Sequence, residues 1–150
     1  MGNAQVSRLN HWDKLFVGWA FFFQLALIVH FALRKRFYDT YTLKYGWLVY
    51  ALCIPAATIS IFLLLRGKAW FFWISGFLFV GYAAYGYWVD YIKHIPWRKP
   101  FHPPVGVPYL ILHLATVMFY WWPLGRIGRG LWLAYGVLFA IAMVLNVLSH

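Results

Sequence analysis

Acidic side chains are almost absent from this chain. Of 150 residues only Asp13, Asp39 and Asp90 carry a carboxyl group, against 13 Lys and Arg. So few acids leave little material for the paired-carboxylate chemistry of many hydrolases. Cysteine is equally scarce: Cys53 is alone, which excludes an intramolecular disulfide and any zinc-finger spacing. Charged residues make up 11% of the chain, where a water-soluble domain has about 25%. A soluble surface cannot be covered with that supply. The chain also lacks Gly-x-Ser-x-Gly, His-Glu-x-x-His and Cys-x-x-Cys, and shows no internal repeat, linker or low-complexity tract. Gly125–Gly130 is glycine-rich, but it lacks the Gly-Lys-Ser/Thr ending of a phosphate-binding loop and reads as a turn.

Apolar residues supply what is missing, at 64% of the chain. A hydrocarbon core about 30 Å thick needs roughly 20 of them in one helix. Five segments meet or nearly meet that length: 15–33, 45–65, 69–92, 107–124 and 131–148. The expected fold is therefore all-α, a single polytopic membrane bundle of four to five transmembrane helices. The first segment is long and ends in Arg34-Lys35-Arg36 with no small-residue cleavage site, so it reads as a retained helix rather than a cleaved signal. Arg66-Gly67-Lys68 and the Gly125–Gly130 stretch are short enough to force antiparallel neighbours, pairing helix two with three and four with five. The prolines of Lys93–Gly106 break the chain between the third and fourth segments. Pro55, midway along the second, predicts a kink by removing a backbone bond and crowding the carbonyl of Ala51.

The net charge of +10 falls in the gaps between apolar segments, where phospholipid phosphates are the expected partners. Arg34, Lys35, Arg36, Arg98 and Lys99 are the candidate headgroup-binding residues. No basic recognition helix accompanies the charge, so nucleic acid is excluded as a partner. The N-terminal side of the membrane (side A) carries six basic residues and the opposite side (side B) seven. That difference sets no orientation by the positive-inside rule, although the compact Arg34–Arg36 cluster favours side B as cytoplasmic. Aromatic residues reach 23%, and most Trp positions lie near segment ends, where interfacial anchoring accounts for them.

Polar residues inside apolar segments cost several kcal/mol unless partnered, which makes them pointers either to function or to helix–helix contact. Ser75, Phe79, Tyr82, Gly86, Asp90 and His94 fall on one helical stripe, as do Tyr109, His113, Thr116 and Tyr120. By topology His30, Asp90, His94, His102, His113, Asn146 and His150 all lie towards side B. The plainest reading is that His30, His113, Asp90 and Asn146 tie helices together. Beside it stand three chemical ones: His30 and His113 as axial ligands of a b-type haem, Asp90, His94 and His113 as a metal site, and Asp90 with His113 in acid–base catalysis.

The leading expectation is a small multi-pass protein that holds an apolar ligand (haem, quinone, pigment or lipid) or packs as an accessory subunit, with membrane lipids, other subunits or a second copy as partners. Alternatives are a membrane enzyme acting on lipids or isoprenoids, and a small transporter or channel subunit. The identity of any cofactor is left open.

Overall fold

The computed structural model describes residues 9–98 and 100–149, with Asp39 as backbone only. Among them there are helices and no strand. Helix α1 spans His11–Arg36, α2 Tyr38–Tyr45, α3 Trp47–Ala51, α4 Cys53–Leu65, α5 Trp70–Tyr87, α6 Pro103–Ile127 and α7 Arg129–Leu148, and a π-helical turn, Trp88–Ile92, extends α5. The all-helical membrane-type bundle expected from the sequence is present. Four helical stretches are long and apolar enough to cross a membrane: His11–Arg36, Thr40–Leu65, Pro103–Ile127 and Arg129–Leu148.

The third segment, α5, is not among those four. At 18 residues it carries two Trp, three Tyr and three Gly, which dilute its hydropathy. The same composition makes it the packing centre of the bundle. Its most extensive contacts are with α4 and α6, and Ser75, Gly76, Phe79, Tyr82, Ala83 and Gly86 are buried along one face. Glycine is needed on that face. A Cβ at Gly76 would collide with Ser60 and the Ala56 carbonyl of α4, and one at Gly86 would meet the Tyr50 ring within 2.8 Å.

Local sequence explains the helix ends. Asn10 caps α1, its Oδ1 accepting from the Trp12 N–H at 3.1 Å, and Arg34, Lys35 and Arg36 complement the negative end of the dipole. The kink expected at Pro55 appears as a break at Leu52, which separates α3 from α4. Pro55 has no N–H to give to Ala51, so the ladder fails one turn before it. Three expectations need correction. The Gly125–Gly130 turn contracts to Gly128 alone, because α6 runs to Ile127 and α7 starts at Arg129. Residues 34–44, between the first two expected segments, are not a bare gap, because α2 occupies most of them. The prolines that seemed to delay the fourth helix instead open it: Pro103 and Pro104 occupy the first turn of α6, whose N–H groups need no helical partner.

The expected hairpins form, α4 against α5 and α6 against α7. Helix α1 packs mainly along α7, and its contacts with α6, α3 and α4 are all sparse. A seam is left between α1 and the broken second span.

Candidate functional site

That seam holds a groove of about 510 Å³ lined by Phe22, Leu25, Ala26, Val29 and His30 of α1, by Tyr41 of α2, and by Leu48, Val49, Ala51, Leu52 and Pro55 of the broken span. Nine of these eleven side chains are wholly apolar. The groove opens along the flank of the bundle, where hydrocarbon would be its solvent. Its polar end is a pair: His30 Nδ1 and the Tyr41 hydroxyl lie 2.9 Å apart. His30 is 9% exposed, and its second ring nitrogen, Nε2, has no partner among the described residues and is not sealed from its surroundings. Six residues separate His30 from the end of α1, which puts it about 9 Å from that end at the helical rise. A second apolar groove, about 280 Å³, lies on the other flank of α3, where Trp47, Tyr50 and Cys53 face Val80, Ala83, Ala84 and Tyr87.

The remaining polar groups of side B form a chain inside the bundle. Arg98 grips Asp90 through two bonds, Nη1 to Oδ1 and Nη2 to Oδ2, each 2.8 Å. Trp97 Nε1 donates to Oδ1 at 3.1 Å and the Tyr50 hydroxyl to Oδ2 at 2.6 Å. Four donors therefore fill the four acceptor positions of this carboxylate. The chain continues from Tyr50 to Tyr109 at 3.1 Å and from Tyr109 to Tyr82 at 2.7 Å. Arg98 also lies over the rings of Trp97 and Tyr109, 4.3 and 5.6 Å from their centroids. Burial would lower the Arg98 guanidinium, but its hydrogen bonds to Asp90 carry it above the ordinary arginine value, so it stays cationic.

Most of the residues singled out by the sequence now have a place. Asp90 sits beside Arg98 and not beside His113, and with its oxygens engaged it offers no lone pair to a base-catalysed reaction. His94 is exposed, in a left-handed turn (φ 50°), and does not meet His113. Among the described residues no group of three or more His, Cys, Asp or Glu is arranged to hold a metal ion, so Asp90, His94 and His113 do not converge. Phe31 packs against both imidazoles of the proposed haem pair, at centroid distances of 5.4 Å from His30 and 6.0 Å from His113. The space that His113 lines with Phe31, Arg34, Tyr82, Tyr109, Leu110 and Asn146 leaves no room for a water molecule. The two histidines do not fit a porphyrin in this arrangement.

Among the candidate headgroup residues, Lys35 and Arg36 are exposed at the end of α1, while Lys99 lies outside the described residues, as does His150. Arg34 differs from both. It is 2% exposed, and its guanidinium donates to Asn146 Oδ1 at 2.6 Å and to Ser149 Oγ at 2.7 and 2.9 Å. It fastens the end of α1 to the end of α7 rather than reaching for phosphate. Asn146 is thus helix-joining, as the plainest reading of the sequence had it.

Towards side A the interior closes with rings. Phe23 packs on Phe79 at 4.6 Å and on Tyr120 at 5.3 Å, and Tyr120 accepts a hydrogen bond from Trp19 Nε1 at 2.9 Å. These aromatics lie between the side-B chain and the Asp13–Lys68 ion pair of side A. Sequence reasoning missed Tyr41 and Tyr50, the partners of His30 and Asp90. Both are tyrosines near side B, the same signal that marked Tyr82 and Tyr109, and a fuller census of phenols would have found them. No family model, no curated protein and no solved structure matches this chain.

Proposed function

We propose that this protein is a membrane binder of a chain-like apolar ligand, which it takes up sideways from the bilayer into the groove between α1 and the α3–α4 break. The observation that carries this reading is the groove itself, about 510 Å³ of almost wholly apolar space between α1 and the broken second span. A volume of that size falls within the range of small-molecule sites, which are also mostly apolar with a few placed polar groups. Two features of the chain support it further. Pro55 breaks the span where the groove needs width, and small residues, Ala26 and Ala51, line it. Asp90 is saturated with donors, which speaks against a lipid-modifying enzyme built on that carboxylate, and the ring-filled interior speaks against a transport path.

The test is native mass spectrometry of the full chain purified in mild detergent. The wild-type protein is expected to carry a bound amphiphile, and Ala26→Trp, which fills the groove, is expected to lose it while retaining wild-type helicity. Equal occupancy in the two proteins would remove the reading.

A further inference from the structure

We infer that the ligand of this groove carries a carbonyl oxygen, which accepts a hydrogen bond from His30 Nε2. This rests on the groove being a binding site, and it adds the chemical class of the occupant. His30 is nine-tenths buried, lines a groove in which only Tyr41 is otherwise polar, and has one ring nitrogen engaged and one without a partner. A buried polar group is ordinarily satisfied. Nε2 is not sealed inside the bundle, so an occupant of the groove can reach it and supply the missing bond.

The Tyr41 contact sets which kind of partner. A phenol is a strong donor and an imidazole nitrogen a good acceptor, so the 2.9 Å contact is best made with the Tyr41 hydroxyl donating to Nδ1. That places the ring proton on Nε2. Nε2–H is then a donor and needs an acceptor oxygen, which carbonyls and hydroxyls both carry. Depth selects the carbonyl. About 9 Å from the end of α1 by helical rise, His30 sits near the boundary where hydrocarbon gives way to headgroups, at the level of the ester carbonyls of a glycerolipid or the ring of a chain-bearing quinone. Both sources share one chemistry, a carbonyl head on a hydrocarbon tail. Hydrocarbon pigments without oxygen do not.

The full-length protein in mild detergent is titrated with decylubiquinone, with dioctanoylglycerol and with farnesane, a tail lacking any carbonyl, and occupancy is read by native mass spectrometry. One of the carbonyl probes, or both, should bind the wild type about fivefold to tenfold more tightly than farnesane, the scale of one hydrogen bond. His30→Phe, which keeps the ring and removes the donor, should erase that advantage while farnesane binding is unchanged. A preference for decylubiquinone alone identifies a quinone as the source, and one for dioctanoylglycerol alone identifies a glycerolipid, provided that its ester carbonyl stretch shifts down in the infrared on binding. An unshifted ester band would assign the bond to its free hydroxyl and overturn the carbonyl assignment.

Equal affinity for all three probes, or an advantage that survives His30→Phe, overturns the carbonyl assignment while the groove reading stands, provided Ala26→Trp blocks every probe. Failure of Ala26→Trp to block any of them overturns both. Should His30→Phe not fold, the infrared carbonyl stretch of decylubiquinone bound to the wild type decides. A downshift from its position in detergent supports the hydrogen bond, and an unshifted band overturns it.

Discussion

Asp90 and Arg98 face one another through two hydrogen bonds of 2.8 Å, across the π-helical turn and the proline-containing stretch that follows it. The pair is mostly enclosed, each side chain 11% exposed, and its remaining lone pairs are taken by Tyr50 and Trp97. Helices α3, α5 and α6 are thereby tied at one point on side B, because Tyr50 also reaches Tyr109.

Removing one partner of such a pair leaves the other buried and uncompensated. Asp90→Asn is therefore expected to lower stability by about 3 kcal/mol, read as the thermal or denaturant midpoint of the protein in detergent. Asp90→Asn combined with Arg98→Gln should lose less than the two single changes summed, since no unpaired charge is left. A single variant with the wild-type midpoint would mean that the pair is solvated rather than structural.

A second expectation concerns the close approach of α4 and α5 at Gly76. Any side chain at Gly76 collides with Ser60 and with the backbone carbonyl of Ala56, and backbone does not yield as a flexible side chain does. Gly76→Ala should cost about 1–3 kcal/mol, the scale of overpacking, although alanine is the better helix former. Gly18→Ala, where nothing lies within 4 Å of the added carbon, is the matched control, expected to be neutral or slightly stabilising. Equal effects at the two sites would show that α4 and α5 can separate without cost.

The degree to which the sequence was legible follows from which interactions are local. Helix positions and hairpin pairing were readable because bilayer thickness and short loops impose them. The break at Leu52 was readable because Pro55 acts within four residues. Lateral partners were not. Nothing in the spacing of His30 shows that it meets Tyr41 of a short helix rather than His113, although the two histidines share a side of the membrane. Arg34 illustrates the same limit: in sequence it is one of three basic residues at a helix end, yet it alone turns inward to Asn146 and Ser149. Depth could be deduced by counting residues, whereas rotation about each helix axis could not.

His113 supplies a third prediction. Its Nδ1 is buried without a hydrogen-bond partner among the described residues, and a donor or acceptor left in that condition costs about 1–3 kcal/mol. His113→Phe keeps an aromatic ring against Phe31 and Tyr82 while removing the orphaned nitrogen. It is expected to leave the unfolding midpoint unchanged or higher, and to leave the visible absorption of the purified protein unchanged. A lower midpoint, or a lost absorption band, would give this imidazole a bound partner and return it to the set of cofactor ligands.

Pro55 is where the fold and the groove depend on one residue. Its ring denies Ala51 a helical hydrogen bond, and the helix is interrupted at Leu52. Pro55→Ala restores the missing N–H and removes the clash, so α3 and α4 are expected to join into one helix. The local helix should gain stability, because proline in a helix interior costs about 3 kcal/mol. The groove should narrow as Ala51 and Leu52 move into line. Stability and ligand occupancy are thus expected to change in opposite directions: a higher unfolding midpoint together with less bound amphiphile by native mass spectrometry. A structural proline with no role in the groove would instead raise the midpoint and leave occupancy untouched, which separates shaping the site from merely tolerating a kink.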